Sequence, residues 1–274
     1  MPKSLPSPGE LIRGSWKSYV KNWNEIIRIS IRFVYIGIAE FLLAIGQTFA
    51  PNGNDAAQIL IAVLSIAVVI FFFQTTIRVI QTVLRVDDGK KAEIGPAAEA
   101  KAWKLLLPLI WVGILQGLMV LGSALPLIVW CLGFLFAGTW SPLTVLVTAV
   151  LAAPVLYVVL LLSFSSLSLI DADARGMQAV SASRDLVALR WAQVFWREFC
   201  GMAIFIVGVW VMTSILLLLL TIAIGPERLM AIAAMQTNDP IVDGATSLIN
   251  AVTQAIALPL IMLFQVKLYR SLQR

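Results

Sequence analysis

The chain has 274 residues, of which 60% are hydrophobic and only 13% are charged. Soluble domains carry about 45–50% apolar and roughly 25% charged residues, so this composition excludes an ordinary water-soluble domain and indicates a protein embedded in a bilayer. The formal charge is +5 and histidine is absent, which argues against the commonest catalytic and metal sites, because histidine is the usual base near neutral pH and the commonest metal ligand.

The first predicted element is an amphipathic helix over residues 7–24. Ser7 is the predicted N-cap, Pro8 suits the first turn, and Glu10 closes a capping box. An apolar stripe at helical spacing follows and includes Trp16 and Trp23. This stripe either lies in the inner membrane interface or packs on the protein's own spans, and both can hold. The residues before it lack the apolar core of a signal peptide, so no cleaved leader is expected.

Six segments are apolar enough to cross a bilayer, which takes about 20 residues each. They cover residues 29–49, 57–84, 105–136, 143–170, 199–224 and 247–268. The third is longer than one crossing needs, and Gly122, Ser123 and Pro126 favour a bend in it. The expected fold is all-α: a polytopic helical membrane bundle of about six transmembrane helices plus two cytoplasmic interfacial helices, in one domain over residues 1–274.

The distribution of basic residues predicts the orientation. Every basic residue except Arg228 falls on the side that holds both termini. The positive-inside rule makes this side cytoplasmic and predicts a bacterial cytoplasmic (inner) membrane protein. Membrane lipids are the expected partners, nucleic acid is not, and a protein partner or homo-oligomer stays open.

Tryptophan positions agree with this orientation, because indole prefers the membrane interface. The expected interfacial anchors are Trp16, Trp23, Trp191 and Trp196. Three other tryptophans fall inside the spans and are expected to pack there: Trp111, Trp130 and Trp210.

A second interfacial helix is predicted over residues 176–187, before the fifth span. Trp191 follows Ser183 by the same eight residues that separate Trp23 from Ser15. The likeness is typical of a parallel internal repeat, as in some transporters. The similar composition that any two interfacial helices need also explains it, and we favour that explanation.

The polar residues inside the spans are the candidate site. Glu40 lies near the middle of the first span, where a charge costs about 2.5–3.5 kcal/mol, so it should have a partner. A rise of about 1.5 Å per residue puts Gln116 and Gln254 at a similar depth. The three are predicted to form a cluster, either a structural hydrogen-bond clamp, which we favour, or a proton or substrate site. Gly113 and Gly117 predict a close helix approach beside Gln116.

Two arginines inside the predicted spans are expected to snorkel toward the inner surface, because Arg32 and Arg78 lie too far from Glu40 to pair with it. The charged stretch at 87–104 is expected to be a solvated loop with a short helix. Cys131 and Cys200 fall on opposite sides of the membrane, which disfavours a disulfide. No phosphate loop, zinc motif or nucleophile elbow is present, so no catalytic residue, metal site or cofactor is predicted.

Three stretches resemble bacterial membrane proteins related to the glycerophosphoryl diester phosphodiesterase membrane domain. They are residues 8–16, 179–187 and 259–270, which read PGELIRGSW, AVSASRDLV and PLIMLFQVKLYR. The resemblance implies a six-helix membrane bundle. It does not imply phosphodiesterase activity, because that chemistry resides in a separate domain that uses histidine.

Two functions are weighed. The first is a non-enzymatic scaffold or lipid-interacting membrane protein, supported by the two interfacial helices and by the scarcity of charge inside the spans. The alternative is a transporter or permease for a small or lipid-like solute, supported by Glu40, the prolines in the spans and the likeness of the two interfacial helices. An integral membrane enzyme is the weakest of the three readings.

Overall fold

The computed structural model describes residues 5–49, 55–137, 141–225 and 240–274. In these ranges every regular element is helical and no strand is present. The α-helices are α1 Pro8–Lys21, α2 Trp23–Ser30, α3 Arg32–Phe49, α4 Asp55–Asp87, α5 Pro96–Ala137, α6 Pro142–Leu162, α7 Ser165–Ala172, α8 Met177–Val187, α9 Trp191–Ile224 and α10 Pro240–Leu272.

Within the described residues, six helical runs are long and apolar enough to cross a membrane. They are α2 with α3, α4, α5, α6 with α7, α8 with α9, and α10. The prediction of an all-α, six-span bundle is therefore confirmed. Two helices are much longer than one crossing, because α4 has 33 residues and α5 has 42. The predicted bend in the third span does not interrupt α5, which runs unbroken through Gly122, Ser123 and Pro126.

Five of the long helices close a ring. Helix α4 packs on α5, α5 on α6, α6 on α9, α9 on α10, and α10 on α4. Helix α3 packs mainly across α4 and α10, so it lies on the outside of the ring along the joint between these two helices.

The two ends of the ring differ in packing. One end, here called the basic end, holds α1, α8, the loop after α4 and the last turn of α10. The largest fully buried side chains include Tyr269, Phe164 and Ile77, all near this end. Toward the opposite end the helices expose their side chains, and α4 buries none of its most apolar 18-residue stretch. The core therefore lies at the basic end, and the apolar surface beyond it is available to lipid.

The predicted capping box of α1 is confirmed. The Ser7 backbone and hydroxyl both donate to the Glu10 carboxylate, at 2.8 and 3.0 Å. These bonds hold the pKa of Glu10 below its usual range. Part of the apolar stripe packs on the protein's own spans, because Tyr19 is buried and donates to the Ile256 carbonyl at 2.8 Å. Trp16 is exposed, and its place in the membrane interface stays a prediction.

The close helix approach predicted at Gly113 and Gly117 is not found there, since a Cβ at either glycine would meet no atom within 4 Å. Helices instead meet at Gly37, Gly201 and Gly244, where a Cβ would overlap a neighbouring helix. Gly113 lines a cavity, described below, so no helix lies against it.

The tryptophans inside the spans also differ from expectation. Trp130 packs as predicted and donates to the Thr148 hydroxyl at 3.0 Å. Trp111 and Trp210 are 53% and 71% exposed, so the expectation that they pack in the interior is wrong. Trp210 lies in the loosely packed part of α9 away from the basic end, whereas Trp111 lies beside Gly176 at the basic end and is still exposed.

Candidate functional site

The fourth predicted span is broken near the basic end, where α6 stops at Leu162 and α7 starts three residues later. Side chains from two other helices bond the backbone at this break. The Gln116 side-chain amide donates to the Leu162 carbonyl at 2.7 Å. The Ser183 hydroxyl donates to the Leu161 carbonyl at 2.7 Å and accepts from the Phe164 amide at 3.1 Å. Interrupted spans whose backbone is satisfied in this way are typical of binding sites in membrane proteins.

A cavity of about 490 Å³ lies beside the break, between α4, α5, α6, α7 and α10. Its apolar wall includes Phe72, Phe73, Val159 and Met262. Its polar lining residues are Thr76, Gln116, Ser163, Ser166 and Gln265. None of the lining residues is ionisable. This cavity, here called the break cavity, can therefore bind uncharged polar groups together with apolar ones.

Three of the polar residues that line the break cavity lie at one depth. Thr76, Gln116 and Ser163 each stand 21 residues, or roughly 30 Å, from the helix ends at the opposite end of the bundle, and Gln265 stands 25 residues, or roughly 38 Å, from the start of α10. The hydrocarbon core of a bilayer is also about 30 Å thick. We therefore expect the break cavity to lie at the boundary between hydrocarbon and headgroups on the side of the basic end.

A buried carboxyl group stands beside this cavity. Glu198 on α9 lies next to Ser163, and its Oε1 has no hydrogen-bond partner in the described part of the chain. The sequence offered no signal for it, because its neighbours Arg197 and Phe199 read as an ordinary membrane boundary.

A second cluster joins three helices at the basic end. Arg32 of α3 donates two hydrogen bonds to the Glu99 carboxylate of α5, of 3.1 and 2.7 Å. From α4, Gln74 donates to the same carboxylate, and Arg78 Nε lies 3.3 Å from it. Arg78 is only 2% exposed and also donates to the Glu93 carbonyl at 2.6 Å. The expectation that both arginines snorkel is wrong for Arg78, because it is buried and Glu99 supplies a partly buried partner for it.

Further ion pairs tie the last helix to the rest of the basic end. Arg270 grips Asp171 with two bonds of 2.9 Å and reaches Asp88 at 3.3 Å. Lys267 binds Asp87 at 2.6 Å. The stretch at 87–104 is therefore not the freely solvated loop that was expected, since its carboxylates hold α3, α4, α5 and α10 together.

The predicted cluster of Glu40, Gln116 and Gln254 is not brought together. Gln116 bonds the helix break, whereas Glu40 and Gln254 are exposed and make no hydrogen bond with each other. Gly37 of α3 meets Ala251 of α10. Glu40 lies three residues beyond Gly37, and Gln254 lies three residues beyond Ala251 toward the opposite end of the bundle. The two are therefore about 9 Å apart along the helix axes.

Glu40 nevertheless faces the inside of the bundle. It lies on the same face of α3 as the buried Phe33 and Ile36, one turn further from the basic end. The side turned away from the bundle carries Ile38, which is exposed. Gln254 likewise shares a face of α10 with a residue three turns away, Gln265, which lines the break cavity.

We expect Glu40 to border water rather than lipid. In a protein whose two native cysteines have been replaced, Glu40→Cys should react with a charged, water-soluble thiol reagent at least tenfold faster than Ile38→Cys. The reason is that the reactive thiolate and the reagent both need water. The measurement is the rate of labelling in liposomes. Equal rates for the two positions would show that Glu40 faces lipid or a dry contact.

The four predicted anchors Trp16, Trp23, Trp191 and Trp196 are all exposed at the basic end. The two serines of the proposed repeat have different roles. Ser15 bonds the Leu11 carbonyl of its own helix at 2.7 Å, whereas Ser183 bonds the break in a different span. The two serines therefore make no equivalent contact that would support an internal repeat.

Among the residues that the structure describes, no group of three or more Asp, Glu, Cys or His side chains is placed to hold a metal ion. Cys131 and Cys200 are both free. No family model, curated protein or solved structure matches this chain. What can be said of its function rests on the geometry of the break cavity and the basic end.

Proposed function

We propose that this chain is a non-enzymatic multi-pass membrane protein that interacts with the lipids of the cytoplasmic leaflet through its basic end. The observation that carries the proposal is a set of exposed, unpaired cations beside exposed indole rings. The proposed orientation follows the positive-inside rule.

Most carboxylates at the basic end already have partners. They are Glu10, Glu25, Asp87, Asp88, Glu93, Glu99, Asp171, Asp173 and Asp185. Within the described ranges, other basic side chains at this end are exposed and have no carboxylate in ion-pair distance: Arg13, Lys17, Lys21, Arg28, Lys91, Lys101 and Lys104. The surplus positive charge is therefore available to anionic headgroups.

Helix α1 combines both kinds of anchor. Arg13, Trp16, Lys17 and Val20 follow helical spacing and are all exposed, so they form one face. The opposite face is held on the bundle by Tyr19 and its neighbours. A basic face with an indole ring at the membrane boundary is typical of interfacial lipid binding.

The test uses the full-length protein in nanodiscs that contain brominated lipid, which quenches tryptophan fluorescence on contact. Brominated anionic lipid should quench more strongly than brominated zwitterionic lipid. Each cation near the surface contributes roughly 1 kcal/mol, so Lys17→Gln with Lys21→Gln should lower this preference about fivefold per substitution. A control removes two cations that already have carboxylate partners, by Arg175→Gln with Arg184→Gln. Equal losses in the two variants would contradict a specific role for α1.

The chemistry of the break cavity supports a binding role over catalysis. It gathers amides and hydroxyls, and the chain contains no histidine to act as a base. The resemblance to the phosphodiesterase membrane domain also implies a membrane bundle without that catalytic chemistry.

A transporter for a small or lipid-like solute is the second candidate. The interrupted span and the polar residues that face the inside of the bundle favour it. The Glu40→Cys experiment separates the two functions when the reagent is applied from each side in turn. Labelling from both sides is expected of alternating access, and labelling from one side alone is expected of a scaffold.

A further inference from the structure

We propose that the break cavity binds the uncharged glycerol-ester part of a diacylglycerol-type lipid, with an acyl chain along its aromatic wall. This inference rests on the lipid interaction proposed above and names the class of lipid that enters the protein. Three observations carry it: the lining chemistry, the depth and the free hydrogen-bonding groups.

The lining chemistry matches a neutral amphiphile. Phe72 and Phe73 of α4 and Met262 of α10 provide an apolar wall for hydrocarbon. The cavity has no cation for a phosphate and no anion for an amine among its lining residues. Burying an unpaired charge is strongly unfavourable, so a charged headgroup is disfavoured and a hydroxyl with ester carbonyls fits.

The polar groups of the cavity are free to bind such a ligand. Ser166 and Gln265 line it and are only partly buried. Neither side chain makes a hydrogen bond within the described ranges of the chain. The Gln116 amide donates to the break, and its oxygen remains as an acceptor. A hydroxyl donor and two ester carbonyls can therefore be satisfied by an amide oxygen, a serine hydroxyl and a second amide.

The depth of the cavity matches the glycerol layer. Three of its polar residues lie about one hydrocarbon thickness from the opposite end of the bundle. Ester and glycerol groups of a lipid occupy this boundary. The apolar groove of about 710 Å³ between α3 and α4 is lined by apolar side chains and Tyr35. It offers hydrocarbon contact without the amides and serine hydroxyls of the break cavity, which makes it the natural internal comparison.

The test uses a diacylglycerol with a photoreactive diazirine on its acyl chain. Full-length protein in phosphatidylcholine vesicles is irradiated, and the labelled peptides are mapped by mass spectrometry. Labels are expected around Phe72, Phe73 and Met262. Gly113→Leu should fill the cavity without a clash, because a Cβ there meets nothing within 4 Å, and labelling should fall at least fivefold. Gly122→Leu on the same helix is equally free of contacts and should label normally.

Competition decides the headgroup. Unlabelled diacylglycerol should displace the probe, whereas phosphatidylglycerol and free fatty acid should not. Equal competition by phosphatidylglycerol, unchanged labelling in Gly113→Leu, or labels confined to the groove between α3 and α4 would each overturn the proposal. Lys17→Gln with Lys21→Gln should leave the labelling unchanged. If anionic lipid still binds α1 while the cavity stays unlabelled, this inference fails and the proposed function stands.

Discussion

Glu99→Gln is expected to destabilise the protein by about 3–5 kcal/mol, the usual cost of removing one partner from a buried ion pair. The substitution keeps the shape of the side chain and removes its charge. Arg32 is 29% exposed at its side chain and can turn to water, whereas the Arg78 side chain is 3% exposed and cannot. The loss therefore comes mainly from an uncompensated guanidinium between α4 and α5.

The measurement is the free energy of unfolding in mixed micelles titrated with sodium dodecyl sulfate. Glu93→Gln is the control, because the ion pair of Glu93 with Arg85 is exposed and such pairs contribute about 0–1 kcal/mol. The Glu93 carbonyl that binds Arg78 is unaffected by this change. Similar losses in the two variants would show that burial does not decide the strength of the cluster.

Gly37→Ala is expected to destabilise the contact between α3 and α10 by about 1–3 kcal/mol, the range for overpacking. The added Cβ would overlap the Ala251 side chain and lie 3.3 Å from both the Leu248 Cα and the Ser247 carbonyl oxygen. Two of these three neighbours are backbone atoms, so the helices must separate to admit the methyl group.

Gly46→Ala is the matched control on the same helix. A Cβ there meets nothing within 4 Å, so the substitution should leave stability unchanged or raise it by about 0.5–1 kcal/mol through lower chain entropy in the unfolded state. In the same detergent titration, Gly37→Ala should therefore lower the free energy of unfolding, whereas Gly46→Ala should raise it or leave it unchanged. A lower free energy of unfolding in both variants would show that the loss of a glycine, rather than the overlap at Gly37, causes the effect.

The six spans could be predicted because each is a long apolar run, and the length of the bilayer sets the number of residues that it needs. The break after Leu162 could not, since the sequence LLLSFSSLSLI stays apolar enough to read as one helix. The backbone carbonyls at this break accept hydrogen bonds from Gln116 and Ser183, which are distant in sequence and meet only in the folded bundle.

The site residues show a similar limit. Depth counting placed Glu40, Gln116 and Gln254 together, but it carries no information on which helices are neighbours or how they slide past each other. The register between α3 and α10 is set by the Gly37 contact. The sequence does not indicate the pairing of Arg78 with Glu99, because the charged stretch that contains Glu99 reads as a solvated loop. Pairing across three helices is a tertiary property that no single helix reveals.

The contrast between the two ends of the bundle has a mechanical consequence. Ion pairs and a packed core join the helices at the basic end. In the described ranges, α4, α5, α6 and α9 bury little of their most apolar stretches, while α3 and α10 stay in contact further from this end. Lateral pressure in the leaflet around the far halves then acts on loosely packed helices. The same pressure in the other leaflet acts on helices that ion pairs and a packed core hold together. We therefore expect bilayer thinning or stretching to strain the two halves of each helix unequally, most of all where the span after Leu162 is interrupted.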